Sequence, residues 1–298
     1  MLRSIKRIAI GTSMALGASA IAVIPAFAQS SLTGISMGGS QPGDYKVYDA
    51  NGTNTLLVTP SLLNVQKVLD GNATNPTGNV ELAGSSELST FNFLKNTTLT
   101  GTIGGKSLTL SSLTAQDWFG PTLNTAYGAD TLATSWFNNF LTKAGKGSLV
   151  GTSSAASAFN LFGQLRGFQR TSDPNISYVN QDDSGLIRIG MAGHFDLKAF
   201  YSNPTSGFSP FASLLPDGFQ ASEVVKYTYN GKTDYLYGFS ATRTGLTEGS
   251  DGQSHSGNYE VTIQGVASTP VPEPSAMLGL AAIGGLFAAA KRKVLKKA

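Results

Sequence analysis

The sequence predicts a mostly β to α+β body, with an antiparallel β-sandwich-like arrangement and a helical insertion near residues 113–170. Turn-forming residues are abundant, with 35 glycines in 298 residues, and only 13% of the residues are charged. Short alternating runs are separated by two-residue turn signals, which is typical of antiparallel strands. No repeat recurs at a fixed period, so the sequence argues against a solenoid or a propeller.

The first elements of the body are two strands and a short helix. Residues 44–50 alternate, the pair Asn51-Gly52 predicts a turn, and a second strand follows up to Pro60. Ser61 is a typical N-cap for a helix that carries Leu62, Val65, Val68 and Leu69 at helical spacing. We predict a loop over residues 72–86.

A glycine-rich stretch at residues 101–107 resembles a phosphate-binding loop but is one residue too short for that pattern. The flanking runs 98–103 and 106–110 alternate, and Gly104-Gly105 lies between them. This arrangement predicts a β-hairpin, so nucleotide binding is not expected.

Residues 113–170 show helical periodicity. We predict one helix capped by Asp130 and another capped by Ser154, each with an apolar stripe of aromatic side chains. Trp118 and Trp136 allow the alternative of a sugar-stacking platform, but aromatic residues at helical spacing favour a buried core.

Acidic side chains surround the next predicted hairpin, whose strands are 176–180 and 186–192. Asp173, Asp182 and Asp183 lie close in sequence, and oxygen ligands of this kind suit calcium. Their spacing does not fit a calcium-binding loop of known pattern, and such residues are also typical of tight turns. We therefore predict a turn and no metal site, and calcium stays open as the alternative cofactor.

A catalytic site is not indicated by any motif. His194 and Asp196 share one face of an extended chain, but no nucleophile elbow of the type G-x-S-x-G is present. A hydrolase that uses paired carboxylates depends on the fold, because the separation of the two groups is not encoded in local spacing. We predict that the protein is not an enzyme.

The sequence of the last part of the body predicts a hairpin and a final strand. Residues 223–229 and 232–240 flank Asn230-Gly231, the preferred pair for a type I′ turn. Tyrosines alternate along both strands, which stabilises a sheet and also suits sugar stacking. Residues 258–266 form one more alternating run.

The first 28 residues have the organisation of a signal peptide. Arg3, Lys6 and Arg7 precede an apolar run, and the small residues Ala26 and Ala28 match a signal-peptidase site. Cleavage after Ala28 would begin the exported body, residues 29–269, at Gln29.

The last 29 residues, 270–298, have three parts. Pro272, Glu273 and Pro274 precede an apolar run at 276–290, and a basic tail at 291–298 begins with Lys291, Arg292 and Lys293. A helix of fifteen residues is about 22 Å long, shorter than a bilayer core of about 30 Å, although snorkelling lysines can cover the difference. The basic tail predicts that this end stays cytoplasmic and the body lies outside.

This order of motif, apolar helix and basic tail resembles the PEP-CTERM sorting signal of exported bacterial proteins. The resemblance covers about a tenth of the chain. It implies an exosortase as the processing enzyme, recognition through Pro272-Glu273-Pro274, and membrane retention through the helix and tail. It further implies a non-catalytic protein of the cell surface or extracellular matrix, associated with exopolysaccharide or biofilm. The alternative is a secreted carbohydrate-binding or hydrolytic module.

The charge of the body excludes one class of partner. The whole chain has a formal charge of +3, but eight of its 21 basic residues lie in the two targeting ends. Without those ends the body keeps 13 basic and 17 acidic residues, a net charge of −4. Nucleic-acid binding is therefore not expected. The chain has no cysteine, so disulfides and thiolate metal sites are excluded.

Overall fold

The computed structural model describes residues 30–267, which form two β-sheets and several helices. The body is mostly β, as predicted. The strands in chain order are β1 (Ser30–Ser31), β2 (Thr33–Gly39), β3 (Tyr45–Ala50), β4 (Asn54–Val58), β5 (Gly78–Leu82), β6 (Thr97–Ile103), β7 (Lys106–Ser111), β8 (Asn175–Gln181), β9 (Leu186–Gly193), β10 (Val225–Tyr229), β11 (Lys232–Leu236), β12 (Thr242–Arg243), β13 (Thr247–Glu248) and β14 (Gly257–Gln264).

The helices are grouped mainly in the middle of the chain. They are α1 (Leu62–Leu69), α2 (Ala115–Phe119), α3 (Leu132–Lys143), α4 (Ser153–Gln164), α5 (Gly167–Arg170), α6 (Leu197–Ser202) and α7 (Ser209–Ala212). Within residues 30–267 no helix is long and apolar enough to cross a membrane. The predicted signal peptide and the predicted membrane helix 276–290 lie outside the described residues.

The large sheet has the strand order β12-β14-β9-β8-β5-β3-β4-β13, and β1 pairs with β8 beside this path. Its neighbouring strands are antiparallel except β4 and β13, which are parallel. The small sheet has the order β11-β10-β7-β6-β2 and is antiparallel throughout. The small sheet is therefore built from three separate segments of the chain, and strands of the large sheet lie between these segments in sequence.

Both sheets contribute to one apolar core. Val47 and Ile189 come from the large sheet, and Leu99 and Leu110 come from the small one. Helix α1 adds Val65, Val68 and Leu69. The predicted cap of this helix is confirmed, because the Ser61 hydroxyl accepts a hydrogen bond from the Asn64 amide.

The loop predicted over residues 72–86 is wrong in its middle. Residues Gly78–Leu82 form β5, a central strand of the large sheet between β3 and β8, and every one of its residues is buried. Val80 and Leu82 belong to the apolar core. Asn79 and Glu81 alternate with them and are buried as well. The prediction was wrong because Asn79 and Glu81 are polar. In an alternating strand, polar residues normally face solvent, so these two residues favoured a loop.

The helical segment has a second core of its own, rich in aromatic rings. The caps of α3 and α4 are Thr131, one residue after the predicted Asp130, and Thr152, two residues before the predicted Ser154. Trp118 and Trp136 are almost completely buried and pack edge to face at 5.6 Å. They are core residues, so the two tryptophans do not form a sugar-stacking platform.

The two predicted hairpin turns are confirmed. Gly104 and Gly105 join β6 to β7, and Asn230 and Gly231 join β10 to β11. All four residues have positive φ angles, as a type I′ turn requires.

Candidate functional site

A polar cavity of about 430 Å³ lies where the large sheet meets the helical core. The sheet side supplies Tyr48, Glu81 and Asn175, and the helical side supplies Trp136 and Tyr201. The wall is completed by residues of the loop between β13 and β14. The cavity is thus assembled from parts of the chain that are distant in sequence, and its volume fits a small polar ligand.

Three carboxyl groups, those of Glu81, Asp173 and Glu223, form the acidic wall of this cavity, and we call them the carboxyl cluster. The Ser86 hydroxyl donates to Asp173 Oδ2. The Asn175 amide N–H donates to Glu223 Oε2 at 2.9 Å, and the Asn175 side-chain amide donates to both oxygens at 3.3 Å. Backbone and side-chain donors therefore hold the cluster in place.

Burial raises the pKa of each member of the carboxyl cluster. For Asp173 and Glu223 the pKa lies well above its ordinary value, because burial disfavours the charged form and the neighbouring carboxylates repel one another. Glu223 is partly accessible as a residue, but its carboxyl group is enclosed. Burial also raises the pKa of Glu81, and this effect is opposed by the Lys46 ammonium at 3.1 Å.

Several buried polar atoms of the cavity wall have no partner. Asp173 Oδ1, Asn175 Oδ1 and His194 Nδ1 make no hydrogen bond, and Asp173 and Asn175 are only 6% and 7% exposed. An unpartnered buried polar atom costs about 1–3 kcal/mol. Such atoms grouped around one cavity can be satisfied by water or by a polar ligand.

Two histidines line the same cavity in their neutral form. Burial lowers the pKa of His194 to about 4 and that of His255 to about 3. His194 stacks on Phe200 with 3.8 Å between ring centroids, and His255 Nδ1 lies 2.7 Å from the Thr55 hydroxyl. Neither ring adds positive charge to the cavity near neutral pH.

The predicted acidic residues of the 176–192 hairpin do not come together. Asp182 lies in the β8–β9 turn, where its carboxylate accepts from Ser184 and from the Leu186 amide and contacts Arg188. Asp183 is exposed in the same turn, whereas Asp173 lies in the cavity at the other end of β8. Among residues 30–267 no group of three His, Asp or Glu side chains is placed to hold a metal ion.

The candidate acid–base pair His194 and Asp196 is also not assembled. Asp196 caps helix α6, where its side chain accepts from the Ala199 amide at 2.9 Å. The carboxylate that acts electrostatically on His194 is that of Asp251.

Sequence reasoning missed Glu81 and Glu223 as site residues. They are separated from Asp173 by about 90 and 50 positions of the chain, so no local spacing connects the three carboxyl groups. A charged residue at an alternating position inside an apolar strand, as at Glu81, was the one signal available.

The two ends of the described chain lie together, at the end of β8 opposite the cavity. Ser30 pairs with Gln181, and the Gln181 side chain donates to the Val266 carbonyl at 2.7 Å. Asn175, at the start of the same strand, lines the cavity. Six residue steps separate Asn175 from Gln181, a distance of about 20 Å along a strand.

A family model described as the PEP-CTERM protein-sorting motif matches residues 270–293. The chain carries a PEP-CTERM sorting signal. The match includes Pro272, Glu273 and Pro274, and the predicted resemblance is confirmed.

This signal indicates where the protein is transported, and it does not identify an activity. It implies export, processing by an exosortase and sorting to the cell surface. No curated protein and no solved structure matches the chain. The function of the body therefore has to be argued from its cavity.

Proposed function

We propose that this protein is an exported, non-catalytic component of the cell surface or extracellular matrix that binds a saccharide of the exopolysaccharide in its cavity. Before processing, the apolar segment 276–290, which the sequence predicts to be a helix, and the basic tail are proposed to hold the chain transiently in the membrane. The sheets are proposed to form a sandwich, which the core shared by both sheets supports.

The unpartnered atoms of the cavity carry the proposal. Sugar hydroxyls donate and accept hydrogen bonds, and Asp173 Oδ1, Asn175 Oδ1 and His194 Nδ1 lack a partner in the protein. The aromatic side chains of Phe200 and Tyr201 also line the cavity. A lining that combines polar atoms with aromatic side chains suits a sugar ring, which has both hydroxyl groups and apolar C–H faces.

The direct test is titration calorimetry of the processed protein, purified from its native cells, with oligosaccharides released from the exopolysaccharide. We expect saturable binding that is weakened at least about tenfold in Asn175→Leu, which corresponds to about 1.4 kcal/mol. Asn180→Leu is a control for burying an apolar group in the same strand, because Asn180 is buried at the other end of β8. Absence of binding to the wild type, or equal loss in both variants, would refute a saccharide site in the cavity.

A hydrolytic module is the second candidate, and the carboxyl cluster favours it. A raised pKa favours the protonated form of a carboxyl group, which is the state that a general acid needs. Glu81, whose carboxyl lies 3.1 Å from the Lys46 ammonium, would be the second carboxyl group of the pair. Mass spectrometry of the oligosaccharides after long incubation separates the two functions, since shortened products that disappear in Asp173→Asn and Glu223→Gln require hydrolysis.

Sorting is tested by intact mass and fractionation. A mass that begins at Gln29 and ends near Pro274, found outside the cytoplasmic membrane, is the expected result. A mass that extends to Ala298 in the membrane fraction would mean that the C-terminal segment is only an anchor.

A further inference from the structure

We propose that the cavity selects a sugar that carries a free, protonated amine, so the ligand is an amino sugar without an N-acyl group. This inference rests on the proposed saccharide binding and adds the chemical class of the ligand. It follows from the charge balance of the cavity and from the kind of atoms that lack partners.

Acidic groups outnumber basic groups around the cavity, although burial disfavours the ionised form of Asp173 and Glu223 in the free protein. Six carboxyl groups line it, against two cationic side chains. The carboxyl groups are those of Glu81, Glu87, Asp173, Glu223, Glu248 and Asp251, and the cations are Lys46 and Arg170. Both histidines are neutral. An enclosed site of this sign attracts cations and repels anions such as uronic acids.

The two cations of the wall are already engaged. Lys46 lies 3.1 Å from Glu81, and Arg170 donates to the Ser206 carbonyl at 2.7 Å and contacts Glu87 at 3.9 Å. Their charge therefore does not compensate Asp173 and Glu223.

The unpartnered atoms at the carboxyl cluster are acceptors, whereas Trp136 Nε1, which also lacks a partner in the wall, is a donor that suits a sugar hydroxyl. Asp173 Oδ1 and Asn175 Oδ1 accept hydrogen bonds but have no donor in the protein, and His194 Nδ1 accepts in one tautomer. An ammonium group has three N–H donors and no acceptor, so it complements this set. A neutral N-acetyl group has one donor and an added carbonyl acceptor, which would face carboxyl oxygens.

Binding of an ammonium group should change the protonation of the carboxyl cluster. In the free protein burial and mutual repulsion raise the pKa of Asp173 and Glu223. A cation beside them favours the ionised form, so a proton is released on binding. The groups that face this pair from the surrounding elements are Lys46, Tyr48, Glu81, Glu87, Arg170, His194, Glu248, Asp251 and His255.

Calorimetry of the processed protein with four ligands of matched length tests the inference. The ligands are a glucosamine oligomer, its N-acetylated form, a neutral glucose oligomer and a uronic-acid oligomer, with putrescine as an amine that is not a sugar. At about pH 6, where the amine is protonated, we expect the glucosamine oligomer to bind at least about tenfold more tightly than its acetylated form. Titration in buffers of different ionisation enthalpy should show a net release of protons on binding.

Two variants test whether Asp173 and Glu223 cause the preference for the amine. Asp173→Asn and Glu223→Gln keep the shape and remove the ionisable group, and the melting temperature of each variant checks that folding is retained. Each should reduce the preference for the amine at least about fivefold and abolish proton release. Asp183→Asn makes the same change in the exposed β8–β9 turn and should alter neither quantity.

The outcomes separate the two proposals. Equal binding of the amino, acetylated and neutral sugars would overturn the charge selectivity and leave saccharide binding intact. Equal binding of putrescine and the glucosamine oligomer would overturn the sugar part and leave an amine site. Binding of none of these ligands would overturn the amino-sugar inference, and binding of the native oligosaccharides then decides the proposed function separately.

Discussion

The neutral, buried imidazole of His255 should make the protein sensitive to acid, and the size of this effect follows from its pKa. His255 is 5% exposed, and burial lowers its pKa to about 3. In the unfolded chain a histidine has a pKa of about 6.5. As the pH falls, the unfolded state takes up the proton first, so the free energy of unfolding decreases between about pH 6.5 and 3.

The variant His255→Asn isolates this contribution. His255 has φ +63°, a left-handed conformation that asparagine tolerates better than most residues. When the pH is lowered from about 7 to about 4.5, the free energy of unfolding of the wild type should fall by about 2.5 kcal/mol more than that of the variant. Linkage gives this value from the pKa of His255 in the folded and in the unfolded protein. Lost packing against Tyr48 and Thr55 changes the variant equally at both pH values.

Urea unfolding followed by tryptophan fluorescence measures this shift. The comparison has to be made between wild type and variant, because the raised pKa values of Asp173 and Glu223 act in the opposite direction and stabilise the fold as the pH falls. If both proteins change in stability by the same amount between the two pH values, His255 is not held neutral, and the argument is refuted.

Three further predictions concern packing, sorting and metal. Gly190→Ala should destabilise the fold by about 1–3 kcal/mol, because the new Cβ would lie 2.2 Å from the Tyr178 ring. Urea unfolding measures this change. Gly43→Ala is the control, because no atom lies within 4 Å of the position of its Cβ. Changing Pro272-Glu273-Pro274 to alanines should leave export intact and trap the body on the membrane, and normal processing would contradict this. Excess EDTA should leave the melting temperature unchanged, whereas a decrease would restore calcium as a ligand.

The elements that local sequence predicts are those with a local physical cause. Asn230-Gly231 and Gly104-Gly105 define their hairpins because positive φ angles are required there. Ser61 defines the start of α1 because its hydroxyl satisfies a free amide. The turn around Asp182 is likewise made by residues close to one another in the chain.

The candidate site has no such local cause. Glu81 lies on a strand that sequence assigns to a loop, because its burial depends on Lys46 and Tyr48 from the neighbouring strand. Asp173 and Glu223 are brought together only when the segments before β8 and β10 meet. The sequence shows three ordinary acidic residues, and their raised pKa values exist only in the folded protein.

The position of the cavity connects sorting to binding. Gln181 joins the two ends of the described chain, while Asn175 lines the cavity about 20 Å away along the same strand. Only four residues separate Ala267 from Pro272, a reach of at most about 18 Å, so the sorting signal stays close to the end of the body that is remote from the cavity. A ligand can then reach the cavity before the signal is processed. We therefore expect the membrane-trapped alanine variant of Pro272-Glu273-Pro274 to bind the saccharide with the affinity of the released protein, measured on membrane vesicles. Binding that appears only after release would mean that the membrane or the retained tail covers the cavity.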